Sequence, residues 1–220
     1  MRSNFHHDVV IQLFAKAPLV GRVKTRMQNR LSAEQALRLH EELLHWACHQ
    51  LCAADRAAVE LWVAGDVQHP FFSSISKKWK ISLHQQSHGD LGAKMYAAAC
   101  AGLQHKRFVI LVGSDCPFVD GPYLDSAIDA LYHGNNIVIG PACDGGYVLL
   151  GLNKVDRLLF DDIAWGDKNV LTQTKRRLTT LGWRYHLLAE QPDIDRPEDL
   201  PLLAAEHLPV GLRQFATFYP

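Results

Sequence analysis

The sequence has no excess of charge of either sign, since 23 Lys and Arg residues are matched by 23 Asp and Glu residues. A neutral chain is not a bulk nucleic-acid binder, so any basic site must be local. No apolar run approaches the roughly 20 residues of a membrane span, and the first ten residues lack the long apolar core of a signal peptide. We therefore expect a cytoplasmic protein that binds neither nucleic acid nor membrane.

Cysteine is scarce, and its spacing forms no disulfide framework. Five cysteines, an odd number, are typical of reduced thiols in a cytoplasm. Cys116 lies beside a strong motif, but no Cys–His pairing in the sequence supports a nucleophile there. The chain also contains no G-x-S-x-G and no Walker A motif, which argues against a serine hydrolase and a P-loop NTPase.

What the sequence does contain is an alternation of strand and helix patterns. Strands are predicted at 8–15, 57–64, 81–86, 107–113, 136–140, 147–152 and 183–189, and helices at 32–54, 90–103, 121–132, 168–181 and 196–206. Such alternation predicts an α/β fold with a mostly parallel sheet and helices on both faces. We expect one domain over residues 1–220, with ligands beyond the carboxyl ends of the strands.

A basic loop, "AKAPLVGRVKTRM", follows the first predicted strand. Its cations are Lys16, Arg22, Lys24 and Arg26, and Gly21 would let backbone amides approach a ligand closely. The alternation of the last three cations would aim them to one side of an extended segment. Forked Arg contacts and a Lys point charge suit a phosphate or pyrophosphate. The alternative is a solvated basic turn that pairs with surface acids.

Carboxylates follow two of the other strands. Asp115 comes two residues after the strand at 107–113, where one carboxylate oxygen on Mg²⁺ is a standard arrangement. The alternative is that Asp115 caps the following turn. Asp193 and Asp195 follow the last strand, and they could share a metal, lie on opposite sides of an extended segment, or cap the next helix.

Two glycine-containing segments are further candidates. The run Asp144-Gly145-Gly146 is either a hairpin turn or a backbone surface for a substrate towards which Asp144 is oriented. Asp90 and Gly92 begin a predicted helix, where they could hold a sugar hydroxyl, a base edge or a phosphate. A simple helix cap is the favoured interpretation of Asp90.

The apolar tail "LPVGLRQFATFYP" could pack on the sheet or on a second subunit, as in a homodimer. The sequence pattern favours neither option.

Six segments together resemble a bacterial family of nucleotide-diphospho-sugar transferase-like proteins. Its members are also labelled radical-SAM/selenodomain-associated transferases, and some are called glycosyltransferases. The segments, in order, are "FAKAPLVGRVKTRM", "GDLGAKM", "GSDCP", "GPACDGGYVLLGL", "WGDKNVLTQT" and "DIDRPEDL", and they cover roughly residues 8–205. The resemblance implies a GT-A-type three-layer α/β/α sandwich, shared with molybdopterin and phospholactate guanylyltransferases.

The resemblance also implies roles for particular residues. The loop from Lys16 to Arg26 would cradle phosphates, and Asp115 and Asp195 would hold Mg²⁺ or Mn²⁺. The segment "DGGYVLLGL" would line the acceptor side. Two departures stand out: Val20 replaces the family's usual proline, and "GSDCP" is not the D-x-D of many sugar transferases.

Three functions follow as hypotheses. The first is nucleotidyl transfer from an NTP to an anionic small molecule with release of pyrophosphate, in which positioning and charge neutralisation matter more than a base. Arg22, Lys24 and Asp115 would be the catalytic groups. The second is glycosyl transfer from a nucleotide sugar, with Asp144 as a base. The third is a nucleotide-binding module without catalysis.

Overall fold

The computed structural model describes residues 5–219, so that the ends of the predicted 1–220 domain, residues 1–4 and Pro220, lie outside it. The strands are β1 (Val9–Lys16), β2 (Ala58–Ala64), β3 (Ser82–Gln85), β4 (Phe108–Gly113), β5 (Ile137–Pro141), β6 (Tyr147–Leu152) and β7 (Tyr185–Leu187). The α-helices are α1 (Ala33–Ala54), α2 (Pro70–Trp79), α3 (Leu91–Leu103), α4 (Gly121–Tyr132), α5 (Val170–Thr180) and α6 (Val210–Arg213). Shorter 3₁₀ turns lie at Thr25–Met27, Arg157–Leu159, Pro197–Ala204 and Gln214–Phe218.

The strands form one seven-stranded sheet in the order β3-β2-β1-β4-β6-β5-β7. β6 is antiparallel to both of its neighbours, while the other pairings are parallel. The carboxyl ends of six strands and the start of β6 therefore meet at one edge of the sheet. This mostly parallel sheet confirms the predicted fold class.

Helices cover both faces of the sheet because successive strand residues point to opposite sides. In β1, Val9, Ile11 and Leu13 are buried in a cluster with residues of α1, α2 and α4. Val10, between them, packs in a second cluster with residues of α3 and α5. The result is the expected three-layer α/β/α arrangement.

The helix starts are encoded locally. Ser32 caps α1 in a capping box with Gln35, and Asp90 caps α3 by accepting a hydrogen bond from the amide of Ala93. The predicted starts of both helices are confirmed.

Three elements differ from the prediction. Helix α2 was not predicted, although His69 caps it and Pro70 occupies its first turn. Strand β7 is shorter than the predicted 183–189. The predicted helix at 196–206 is a 3₁₀ segment, Pro197–Ala204, because Pro201 lies inside it and has no backbone N–H to donate.

The apolar tail does not pack on the sheet, so that option is wrong. Leu212 and Phe215 are buried in a third cluster with Leu39 and Leu43 of α1 and with Met27 of the basic loop. A role in binding a second subunit stays a prediction. Within residues 5–219, no helix has the length and apolarity needed to cross a membrane.

Candidate active site

The basic loop is not extended, so the prediction that its cations point to one side is wrong. Lys24 adopts a left-handed conformation (φ +47°) just before the Thr25–Met27 turn. Its side chain is buried, and its Nζ lies 2.7 Å from Asp115 Oδ1 and donates a hydrogen bond to the carbonyl of Ile194. Arg22 and Arg26 remain exposed. The turn therefore separates one inward cation from the outward ones.

Asp115 is the acidic centre of the site. Its Oδ1 is buried against Lys24, yet the side chain as a whole is 45% exposed, so the rest of the carboxylate is open to the site. Burial favours the protonated acid, but the positive charge of Lys24, followed by His40, outweighs it and lowers the pKa of Asp115 below its usual value. Asp115 is thus an ionised, partly accessible carboxylate at the end of β4.

His40 is a site residue that the sequence reasoning missed. It lies on the buried face of α1, and its Nε2 donates a hydrogen bond to the carbonyl of Lys16 at 3.0 Å. Burial lowers the pKa of His40, with the negative charge of Asp115 opposing it. The available signal was its spacing, because His40 lies one helical turn after Ala36, in the apolar stripe of α1.

The segment after β7 crosses the ends of β4 and β5. The amide of Ile194 donates to the carbonyl of Asp115 at 2.9 Å, and Gln191 donates to Pro141 at 3.0 Å. Asp193 and Asp195 flank Ile194. Asp195 accepts a hydrogen bond from Arg26 Nη1 at 2.5 Å, whereas Asp193 lines a cavity on the other side. The carboxylates therefore lie on opposite sides of an extended segment, one of the predicted arrangements.

Asp193 has a carboxyl whose pKa is raised, whereas that of Asp115 is lowered. Burial, together with the neighbouring charge of Asp144 and smaller contributions from Asp195 and Asp115, raises the pKa of Asp193 to about 6. These four aspartates therefore form one acidic region.

The run Asp144-Gly145-Gly146 forms the predicted hairpin turn between β5 and β6. Asp144 accepts a hydrogen bond from the amide of Gly146 at 2.8 Å. Gly145 has φ +91°, and a side chain there would place Cβ 2.0 Å from the carbonyl oxygen of Lys168. Gly145 thus permits close packing of the hairpin on the loop before α5, while Asp144 and Gly146 line the cavity.

The remaining predicted residues differ in how open they are. Asp90 Oδ1 accepts the 2.8 Å capping bond from Ala93, which is the favoured interpretation. Gly92 is buried, and a Cβ there would lie 2.6 Å from Trp165 Nε1. Gly21 has φ +72° and nothing within 4 Å of a Cβ position. Open space for a ligand therefore exists at Gly21, while Gly92 packs against the protein.

A cavity of about 220 Å³ lies beside Asp115 at the ligand-binding edge of the sheet. It opens where β1, β4 and β5 end and β6 begins, on the face covered by α3. Its lining includes Phe14, Met95, Tyr147, Trp165, Asp144, Asp167 and Asp193. The loop that carries Trp165 and Asp167 belongs to the quoted "WGDKNVLTQT" segment but was not predicted to form part of the site.

The residues present fit a magnesium ion that binds together with a substrate. Within residues 5–219, no group of three or more His, Cys, Asp or Glu side chains is arranged to hold a metal. Mg²⁺ at nucleotide sites usually takes one or two carboxylates and completes its shell with water and phosphate oxygens. The partly open carboxylate of Asp115 meets that requirement.

A family described as "Uncharacterized protein conserved in bacteria (DUF2064)" matches residues 44–167. No curated protein matches the sequence. A crystal structure of a provisionally assigned nucleotide-diphospho-sugar transferase from Desulfovibrio desulfuricans G20 is 26% identical and covers 97% of both chains, with a TM-score of 0.85.

Two further solved structures share the fold at lower identity. A cytidylyltransferase from Leptospira borgpetersenii serovar Hardjo-bovis is 15% identical with a TM-score of 0.60, over 97% of this chain and 92% of that one. The 4-diphosphocytidyl-2C-methyl-D-erythritol synthase from Anaerococcus prevotii is 10% identical with a TM-score of 0.59, over 88% and 94%. These likenesses support the three-layer α/β/α fold.

Proposed function

The chain belongs to this bacterial DUF2064 family, and from that premise we propose that it is a Mg²⁺-dependent nucleotide-utilising transferase. The reaction we propose is nucleotidyl transfer from an NTP to a small-molecule acceptor, with release of pyrophosphate. The observation that carries it is the Lys24–Asp115 ion pair at the ends of β1 and β4, beside exposed cations of the same loop. The printed assignments of the similar structures, a nucleotide-diphospho-sugar transferase and a cytidylyltransferase, support this chemistry.

The exposed cations of the basic loop are proposed to bind the phosphates. Lys16 and Arg22 are exposed, and the side chain of Arg26 is 49% exposed. Guanidinium groups offer paired donors to phosphate oxygens, and Lys16 adds a point charge. Arg26 already binds Asp195, so a phosphate would compete with that carboxylate for its donors. Lys24 is proposed to orient Asp115 while remaining buried.

A bound Mg²⁺ would neutralise charge on the phosphates, and Asp115 and Asp195 would hold it. The chain's own contribution is to keep Asp115 ionised and fixed. Lys24 does this through its charge, and the hydrogen bond from the amide of Ile194 fixes the backbone of Asp115.

The acceptor is proposed to occupy the cavity on the other side of Asp115. The sequence-based hypothesis was an anionic acceptor. The charged residues described in the lining are Asp144, Asp167 and Asp193, all of them acidic. This negative lining does not favour an anion, so the proposed acceptor here carries no anionic group.

Glycosyl transfer from a nucleotide sugar is the second candidate, and the assignment of the Desulfovibrio desulfuricans structure favours it. A neutral hydroxyl acceptor needs a base in either reaction, and Asp144 and Asp193 both line the cavity where that hydroxyl would lie. The same cations would then bind the diphosphate of the sugar donor.

One experiment separates these functions. The protein is incubated with Mg²⁺, each NTP or nucleotide sugar, and a panel of small acceptors, and the co-product is identified. Pyrophosphate supports nucleotidyl transfer, and a nucleoside diphosphate supports glycosyl transfer. Thermal stabilisation by nucleotide without turnover would indicate the binding module instead. If Arg22→Ala leaves every nucleotide effect intact, the proposed phosphate site is wrong.

A further inference from the structure

We propose that the cavity beside Asp115 accepts a molecule of single-ring size that has an apolar body, a hydroxyl or amino nucleophile and no anionic group. The inference rests on the proposed function, because it names the chemical class of the second substrate of the same site. The size, the wall and the charge of the cavity carry it.

The size of the cavity limits the acceptor to about one ring. Its volume is about 220 Å³. An apolar cavity of roughly 150 Å³ is enough to hold benzene, whereas pockets for drug-sized ligands begin near 300 Å³. A single six-membered ring with a short substituent therefore fits, and a nucleotide does not. We place the nucleotide outside this cavity, towards the basic loop.

The wall of the cavity is suited to a flat apolar body. Trp165 and Tyr147 meet edge to face, with ring centroids 6.3 Å apart and an interplanar angle of 88°. Phe14 of β1 and Met95 of α3 are further lining residues. The indole ring of Trp165 packs against α3, because its Nε1 occupies the space that a side chain at Gly92 would fill. A ring in the cavity would gain both area burial and aromatic contacts.

The charge of the cavity excludes anions and orients the acceptor. Its acidic residues are Asp144 and Asp167, which are exposed, and Asp193, which is half-buried. No Lys, Arg or His occurs among the described lining residues. A carboxylate or phosphate acceptor would face like charges. The hydroxyl or amino group of the acceptor would point towards these carboxylates, which can accept its hydrogen bonds.

The nearest cations do not cancel this negative charge. Lys24 is bound to Asp115, and Arg26 is bound to Asp195, on the far side of Ile194 from Asp193. Neither cation belongs to the cavity lining. The basic loop and the cavity thus select opposite charges within one site.

Three probes of equal size test the proposal: benzyl alcohol, benzylamine and benzoate, each titrated into the full chain and followed by ligand-observed NMR and calorimetry. Benzyl alcohol and benzylamine are expected to bind, and benzoate to bind about tenfold more weakly or not at all. The double variant Asp144→Asn/Asp167→Asn should largely remove the discrimination against benzoate. Asp129→Asn, an exposed substitution of the same kind on α4 and outside the cavity, is the control and should change nothing.

Two results would overturn the inference: benzoate binding as tightly as benzyl alcohol in the unmodified chain, or no binding of any probe at millimolar concentration. Nucleotide binding, measured separately on the same samples, keeps the two claims distinguishable. If the proposed function is wrong, no NTP or nucleotide sugar will bind, whether or not the three aromatic probes bind.

Discussion

The buried ammonium group of Lys24 depends on one carboxylate. In Asp115→Asn, Lys24 would keep the carbonyl of Ile194 and a neutral amide oxygen as acceptors, but it would lose the negative charge that compensates its own. We expect the free energy of unfolding to fall by about 1–3 kcal/mol, below the range for fully buried pairs because Asp115 is partly exposed. Turnover should fall by roughly 10²-fold or more, since the carboxylate of the site is lost. Urea denaturation and co-product release measure the two effects.

The double variant Lys24→Met/Asp115→Asn provides the control for this pair. It removes both charges, so it should recover part of the stability and none of the turnover. Wild-type stability in Asp115→Asn alone would show that the ion pair does not hold the loop.

Asp193 is expected to reduce the stability of the folded protein. Its pKa is raised to about 6 by burial and by Asp144, so ionisation costs folded stability. The sign follows: the cost is absent below the unfolded pKa near 3.9, grows as the pH rises, and is complete above about 6. Asp193→Asn should therefore be more stable by on the order of 1–2 kcal/mol at pH 7.5, after allowance for partial exposure, and equal near pH 4. Denaturation in metal-free buffer at both pH values checks this, with Asp129→Asn as control.

The sequence indicated which residue types gather at the site, but not how each side chain is directed. Asp115 and the basic loop were placed correctly because strand ends are readable from hydrophobic patterns. The inward turn of Lys24 was not readable, since a left-handed conformation at a non-glycine residue depends on its partner Asp115. Likewise, docking of Ile194 on Asp115, a long-range contact, decides that Asp193 rather than Asp195 faces the cavity.

At the scale of elements, the loop before α5 forms one wall of the cavity and is held by Arg177. The guanidinium donates hydrogen bonds to the carbonyls of Leu158, Asp161 and Asp162. Arg177→Ala should release this loop, accelerate amide exchange over 158–167, and raise the KM for the acceptor more than it lowers kcat. Arg176→Ala, exposed on the same helix, is the matched control. Equal exchange rates in both variants would contradict a positioning role for Arg177.

The β5–β6 hairpin should tolerate no side chain at Gly145. A Cβ there would lie 2.0 Å from the backbone of Lys168, in addition to the strain of φ +91°. Gly182 is the matched control, because it has φ +63° and nothing within 4 Å of a Cβ. We expect Gly182→Ala to cost about 1 kcal/mol from strain alone and Gly145→Ala to cost clearly more, on the order of 3 kcal/mol. Thermal denaturation of the two variants compares them directly.

Most elements were predictable because their periodicity and caps agree, as at Ser32 and Asp90. Helix α2 was not predicted because the start signal at His69 and Pro70 was not recognised, although Phe72, Ile75 and Trp79 follow helical spacing. The 3₁₀ segment at Pro197–Ala204 was predicted to be an α-helix because the prediction followed its apolar residues. It did not take into account that Pro201 disfavours an α-helix.

At the scale of the whole molecule, the order of the strands in the sheet could not be predicted from the sequence. Insertion of the reversed β6 between β4 and β5 brings the hairpin turn, and with it Asp144, to the same edge as Asp115. This placement depends on pairing between residues that are distant in sequence. The residues that line the cavity therefore come from elements that no local sequence pattern connects.

The terminal segment links the outer side of α1 to the basic loop, and the last prediction tests this link. Leu212 is fully buried in the cluster that also holds Met27 and Ile194, the residues that flank the Lys24 contact. Leu212→Ala should lower the free energy of unfolding by about 2–4 kcal/mol, because the substitution leaves an empty space in the third cluster. That space would lie next to the basic loop, so the stabilisation of the protein by bound nucleotide should also weaken. Val210→Ala, at a position that is 70% exposed on the same helix, should do neither.

Sedimentation of both variants separates packing within the chain from packing between subunits. If Leu212 is buried by its own chain, the oligomeric state of Leu212→Ala will match that of the unmodified protein while its stability falls. A change of oligomeric state in Val210→Ala, at unchanged stability of the fold, would instead assign the exposed side of this helix to a second subunit. Because the two side chains lie on opposite sides of one short helix, the two measurements together show whether the apolar tail packs only within its own chain or also against a second subunit.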